Sequence, residues 1–230
     1  MSGRSFCDRC KKKISWFDNI PLFSYLLLKG KCRSCGQKIS LRYPAIELST
    51  GVTFLLVTCF LNKCTPSGAL CLWQGRLGPI ALPYLLFVAS TLIAIFIIDL
   101  EHQLIPDGLV YSLFILTLFF LVLFPSPQFY KHLLISFGAS TFLLLIHQAT
   151  RGRGMGLGDT KLALFGGLFL GWPATLTWLF LSFLTGAGVG VALIVAKRAQ
   201  WGKPIAFGPF LVISFFITLI WGSSAVSLLI

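Results

Sequence analysis

Asp99 and Asp159 are two of only seven acidic residues in this chain, and each stands where a long apolar run meets a polar loop. Asp99 closes the run 85–98. Asp159 precedes the run that begins at Leu162, inside the stretch Gly154-Met155-Gly156-Leu157-Gly158-Asp159-Thr160-Lys161. Acids at the edge of a membrane span are costly, turn toward protein or water, and mark functional sites by default. If the two share a site they cannot both ionise cheaply, so one keeps a proton while the other accepts one. Such a pair can activate a water against a peptide carbonyl and then protonate the leaving amine, with no covalent intermediate. The glycines at 154, 156 and 158 offer a backbone that an extended substrate can approach closely. Plainer roles stay open. Asp159 also suits the positive end of a helix as a cap, and Asp107, after Pro106, reads as an N-cap. Asp99 resists that reading, because it ends an apolar run where the helix dipole disfavours an acid. Lys161 would depress the pKa of a carboxylate beside it and is expected to point elsewhere. His102 is either an accessory to the Asp99 loop or a solvated side chain; His132 and His147 read as interfacial.

Four of the seven cysteines form a second constellation, Cys7-x-x-Cys10 and Cys32-x-x-Cys35, with 21 residues between the pairs. Each pair sets two thiolates on one turn, and two such knuckles complete a tetrahedral zinc site of structural type, with no open position for water. A redox pair or free thiols are the alternative readings. Cys64 and Cys71 share a loop and could form a disulfide; Cys59 lies within an apolar run. The aromatic and basic residues between the knuckles could stack on nucleic-acid bases, but a membrane surface suits them better and no nucleic acid is expected.

These groups sit in a chain that is 56% hydrophobic and 11% charged, with 22 phenylalanines. That excludes an ordinary soluble globule and points to an all-α polytopic membrane protein. Apolar runs of about 17–25 residues are expected to span a bilayer, and they fall at 45–62, 79–98, 108–124, 131–148, 173–196 and 207–229, with a shorter one at 160–171. The chain therefore divides into a polar, cysteine-rich head, 1–43, and a domain of about seven transmembrane helices, 44–230. No apolar stretch in the first 20 residues resembles a signal peptide, so insertion is expected to rely on the later spans. With the head inside, sixteen of the nineteen basic residues fall on the cytoplasmic side, including Arg151, Arg153, Lys197, Arg198 and Lys203; Lys63, Arg76 and Lys131 fall outside. This is the bias that sets membrane orientation. It brings Asp99, Glu101, Asp107 and Asp159 to one face. The formal charge of +12 fits a head lying against an anionic bilayer. Gly186, Gly188 and Gly190 read as a helix-packing stripe.

The chain resembles the prepilin peptidases, the type IV prepilin leader peptidase/N-methyltransferases among the GxGD-type aspartic proteases. The resemblance runs through both cysteine pairs with Ile14-Ser15-Trp16 and Asn19-Ile20-Pro21 between them, Arg42-Tyr43-Pro44 with Glu47, Ile98-Asp99, Leu104-Ile105-Pro106-Asp107, Gly154 to Lys161, and Pro204 to Pro209. It implies that Asp99 and Asp159 are the catalytic pair in a multi-pass protein of the bacterial inner membrane. The implied substrate is a type IV pilin or type II secretion pseudopilin precursor, cut on the cytoplasmic side after the glycine that ends a short basic leader. Glu101, Asp107 and Lys161, with the three glycines, then lie near the substrate, the acids facing the basic leader. The second activity implied is methylation of the new N-terminus from S-adenosylmethionine. Family members begin with a further apolar helix before the first cysteine pair, which is expected to be missing here and leaves methylation open. Two readings from other classes remain: a proton-coupled transporter, whose acids would relay protons near the midplane, and a membrane-anchored zinc ribbon acting as a binding module. Oligomeric state is not legible.

Overall fold

The apolar runs all become helices in a computed structural model that describes residues 5–7, 9–62, 69–124, 128–152, 154–196 and 206–229. Cys64, and with it the disulfide it could form with Cys71, Lys63, Arg153, Lys197, Arg198, Lys203 and the start of the Pro204–Pro209 motif lie outside the described residues. The chain forms two compact units, Met1–Leu56 and Val57–Ile230.

The first unit contains a 3-10 turn, Trp16–Asn19, the short helix α1 (Phe23–Leu27) and the beginning of α2 (Arg42–Asn62). Its two cysteine knuckles are the same turn made twice. Cys7 donates its N–H to the Lys12 carbonyl and accepts the Lys11 N–H, and Cys32 does the same with Gln37 and Gly36. Antiparallel bridges flank each turn, Phe6 with Lys13 and Lys31 with Lys38. Both turns need a left-handed residue at the same place, met by Gly36 at φ +67° and by Lys11 at φ +54°. Arg33 ties the second knuckle to the intervening segment, with its guanidinium 2.7 Å from the Asp18 carboxylate and stacked over the Phe17 ring. Glu47 of α2 accepts the Leu22 N–H at 2.8 Å.

The second unit continues with α3 (Ala69–Leu77), α4 (Ala81–His102), α5 (Asp107–Leu123), α6 (Phe129–Ala149), α7 (Leu157–Leu170), α8 (Ala174–Val195) and α9 (Gly208–Leu229). Among the described residues, three segments are long and apolar enough to cross a membrane, Trp73–His102, Phe129–Ala149 and Ala174–Leu193; Asp107–Leu123 and Gly208–Ile220 are shorter apolar helices. The stretch expected to be a plain outer loop, 63–78, instead contains α3. Its apolar residues are too few to span, but Trp73 is buried and donates its indole N–H to the Phe169 carbonyl at 3.1 Å. His132 is also buried rather than interfacial.

At the centre lies α7, against α5, α6, α8 and α9. Ten of its fourteen residues are buried, and Phe165 stacks on Phe215 of α9 while Phe169 packs against the same ring at a tilt. No Cβ fits at Gly167, where it would come within 2.7 Å of the Ser136 Cα on α6. By contrast Gly188 faces open space, and of the expected glycine stripe Gly186 packs against Phe207. Gly167→Ala should destabilise the protein by about 1–3 kcal/mol through overpacking, lowering the thermal midpoint in detergent, whereas Gly188→Ala should leave it unchanged. Equal midpoints for the two variants would contradict this packing.

Candidate functional site

Asp99 and Asp159 line one cavity of about 410 Å³, together with Gln103, Ile105, Asp107 and Phe207. Both are buried, at 5% and 4% exposure. The chain brings them together through helix ends. Asp99 belongs to the last turn of α4, and Asp159 to the first turn of α7. Asp159 accepts the Gly156 N–H at Oδ2, 3.0 Å away. That is half of a capping box, since Gly156 has no side chain to return the bond. The expected cap is thus present, and the carboxylate also faces the cavity. Asp99 is met by the amide of Gly208, the first residue of α9. A Cβ at position 208 would lie 2.5 Å from Asp99 Oδ2, so only glycine lets the start of α9 approach so closely. Among the described residues, Asp99 Oδ2 is buried with no hydrogen-bond partner. Two acids at converging helix ends differ from a transport site, whose acids are expected near mid-span.

The other expected residues divide. Gly154, Gly156 and Gly158 all line the cavity, but none has a positive φ. Their small size does the work: a Cβ on Gly158 would come within 2.8 Å of Ile105, and one on Gly154 within 3.0 Å of Thr150. Asp107 lines the cavity, yet it is not an N-cap. Pro106 holds that place, and Asp107 is the first residue of α5. Its carboxylate instead pairs with Lys161 Nζ at 2.7 Å, so the lysine points away from the Asp159 carboxylate, as expected. Neither Lys161 nor Glu101 is among the described residues lining the cavity. His102 is largely exposed, 4.0 Å from Glu101. Sequence reasoning gave Gly208 no role beside Asp99 and read His147 only as interfacial; for Gly208 the Gly-Pro step at 208–209 was the available signal, since Pro at the first turn marks a helix start. His147 donates from Nδ1 to the Met155 carbonyl at 2.7 Å.

In the first unit, Cys7, Cys10, Cys32 and Cys35 bring four Sγ atoms within 4.8 Å of one another. The Cys7–Cys35 pair is 3.9 Å apart, far longer than the roughly 2.05 Å of a disulfide. A tetrahedral site with metal–sulfur bonds of about 2.3 Å has edges of roughly 3.8 Å, so a four-coordinate metal ion fits with a small contraction. The electrostatics agree. The backbone amides of Cys10 and Arg9 pull the Cys7 thiol down to about 6. Cys35, although the Gln37 amide pulls it down, is pushed up to about 11 by burial and its three thiol neighbours. Four sulfurs so close resist ionising together unless a cation joins them.

Residues 1–61 match the Bacterial Peptidase A24 N-terminal domain, and residues 86–191 match the Type IV leader peptidase family. The prepilin leader peptidase/N-methyltransferase of Aeromonas salmonicida (strain A449) is 37% identical over 228 residues, covering 97% of this chain and 73% of that protein. Proteins of the same name from Pseudomonas aeruginosa and Neisseria gonorrhoeae are 35% and 36% identical, covering 95% and 93% of this chain and 71% and 70% of theirs. No solved structure matches the chain. The chain belongs to the type IV leader peptidase family, whose apolar helices here make a multi-pass membrane protein.

Purified protein should carry one tetrahedral divalent ion per chain. Cobalt exchanged into it should give the intense thiolate-to-metal absorption of a four-sulfur site, lost in Cys7→Ser and Cys32→Ser. Full metal content in both variants would remove these ligands from the site.

Proposed function

We propose that this chain is a membrane aspartic endopeptidase that removes the leader from type IV pilin or pseudopilin precursors, with Asp99 and Asp159 as its acid and base. The observation that carries the reading is two buried carboxylates lining one cavity at the ends of apolar helices. The names of the relatives supply the substrate class. In this mechanism Asp99 Oδ2, without a hydrogen-bond partner among the described residues, takes a proton from a water as the water oxygen bonds the scissile carbonyl carbon. Asp159, with Oδ2 committed to the Gly156 amide, carries its proton on the other oxygen and hydrogen-bonds the carbonyl oxygen. The tetrahedral intermediate collapses as Asp99 passes the proton it took from the water to the nitrogen, breaking the C–N bond and leaving an acid and an amine. Gly154, Gly156 and Gly158 form the wall along which the extended chain lies.

Residues 1–43 form a cytoplasmic head held by a structural zinc on Cys7, Cys10, Cys32 and Cys35, and residues 44–230 form the peptidase domain. The excess of basic residues in the head and inner loops supports an inner-membrane protein with head and active site facing the cytoplasm. The same chain then methylates the released amine from S-adenosylmethionine, a reading that rests on the relatives' names alone.

Two experiments test the site. Protein in lipid, mixed with a type IV prepilin, should release the leader, and mass spectrometry should find one methyl group on the new N-terminus. Asp99→Asn and Asp159→Asn should each lower cleavage by about 10²–10⁴-fold with an unchanged thermal midpoint; undiminished turnover in either would remove that residue from the pair. Asp107, half exposed at the cavity and paired with Lys161, is placed to exchange that partner for a basic leader residue, with Glu101 nearby in sequence. Asp107→Asn and Glu101→Gln should each raise KM for a basic leader by about two- to fivefold, the scale of an exposed ion pair, and leave a neutralised leader unaffected. An unchanged KM for the basic leader in both variants would refute this docking.

A further inference from the structure

We infer that His147 is a positioning residue for Asp159, acting through the single peptide group between Met155 and Gly156. The inference rests on the reading of Asp159 as catalytic. The Met155 carbonyl accepts a hydrogen bond from His147 Nδ1 at 2.7 Å. The N–H of the same peptide unit, on Gly156, donates to Asp159 Oδ2 at 3.0 Å. A trans peptide is a rigid plane with its C=O and N–H pointing in opposite directions. Fixing the carbonyl therefore fixes the N–H. His147 on one side and Asp159 on the other hold the two ends of one plate, and the bond to the carbonyl also polarises the amide and strengthens its bond to the carboxylate.

Local structure holds the imidazole in turn. His147 lies in the last turn of α6, and its own carbonyl accepts the Gly152 N–H at 2.9 Å. Gly152 has φ +75°, and a Cβ there would come within 3.2 Å of the ring, so the turn folds over the imidazole without displacing it. A carbonyl can only accept, which puts the hydrogen on Nδ1. That hydrogen is present in the neutral Nδ1–H tautomer and in the imidazolium, so the link does not depend on the charge of the ring. Met155 is buried at the cavity wall, and its carbonyl bond to His147 ties this loop to α6. Without it the plate can rotate, and the Asp159 carboxylate loses the amide that aims it.

Steady-state cleavage of a prepilin by His147→Ala, His147→Asn and His147→Gln, with Asp159→Asn as reference, tests the relay. His147→Ala should lose about ten- to hundredfold in kcat, the range for a group that orients a functional side chain, with KM within about twofold. The asparagine amide nitrogen can occupy the place of Nδ1, whereas that of glutamine reaches the place of Nε2. His147→Asn should therefore recover kcat to within about threefold of the parent, and His147→Gln should resemble His147→Ala. Undiminished kcat in folded His147→Ala overturns the inference, as does a folded His147→Asn no better than His147→Gln. If the alanine variant does not fold, the asparagine and glutamine pair decides alone. An active Asp159→Asn would instead overturn the catalytic reading, a separate result.

Discussion

The structure of the second unit depends on one helix that is too short for its surroundings. At 1.5 Å per residue, the fourteen residues of α7 span about 21 Å, against roughly 30 Å of bilayer hydrocarbon. Its last-turn carbonyls therefore end inside the protein, where each unpaired group would cost several kcal/mol. Neighbours supply donors. His132 Nδ1 reaches the Leu168 carbonyl at 2.9 Å and Trp73 Nε1 the Phe169 carbonyl at 3.1 Å, while Ser136 bonds the Leu164 carbonyl one turn earlier. The close approach at Gly167 lets α6 make two of these three bonds. With one end fixed in this way, the other end of α7 is held at a definite depth, and that end carries Asp159.

The two aspartates occupy helix ends of opposite polarity, yet both face the start of a helix. Asp159 sits in the first turn of its own helix, where the positive end of the dipole favours a carboxylate. Asp99 sits in the last turn of α4, where the dipole opposes it, and Gly208 brings the first turn of α9 against it as compensation. The compensation is partial, because Asp99 Oδ2 has no partner among the described residues. An acid whose burial is left unbalanced in this way is expensive for the fold and suits an oxygen that must exchange protons with a water or a substrate. The cost is carried by the aromatic packing of α7 and α9 around Phe165, Phe169 and Phe215.

Much of this arrangement was legible in the chain. The seven apolar runs correspond to α2 and α4 to α9, the cysteine spacing to one cluster, and the alternation of spans to the meeting of Asp99 with Asp159. What escaped was of one kind. Asp99 and Gly208, His132 and Leu168, and Trp73 and Phe169 are joined by contacts between residues far apart in the chain, and hydrophobic periodicity carries no information about partners. Local chemistry misled in one place. Asp107 follows a proline at a helix start, so it read as a cap, but Lys161 of α7 competes for its carboxylate and wins with an ion pair. The glycines at 154, 156 and 158 read as a backbone open to close approach, and Thr150 and Ile105, which press against Gly154 and Gly158, add a packing reason for their small size.

The head illustrates the opposite balance, in which local chemistry decides nearly everything. Its knuckles are set by short-range backbone bonds, and its side-chain ties among the described residues include Arg33 with Asp18, Arg9 with Gln37, Ser24 with the Phe17 carbonyl and Glu47 with the Leu22 amide. Ser24 is its one buried side chain among the described residues numbered below 57, while Trp16, Phe23, Leu26 and Leu27 are exposed. A segment with so little apolar burial cannot offset the entropy of ordering itself. Four converging thiols add mutual repulsion wherever they ionise. Both deficits would be met by the same agent, the cation we propose for the centre of the cluster. It would turn the repulsion of the sulfurs into coordination and make folding of the head a metal-binding equilibrium.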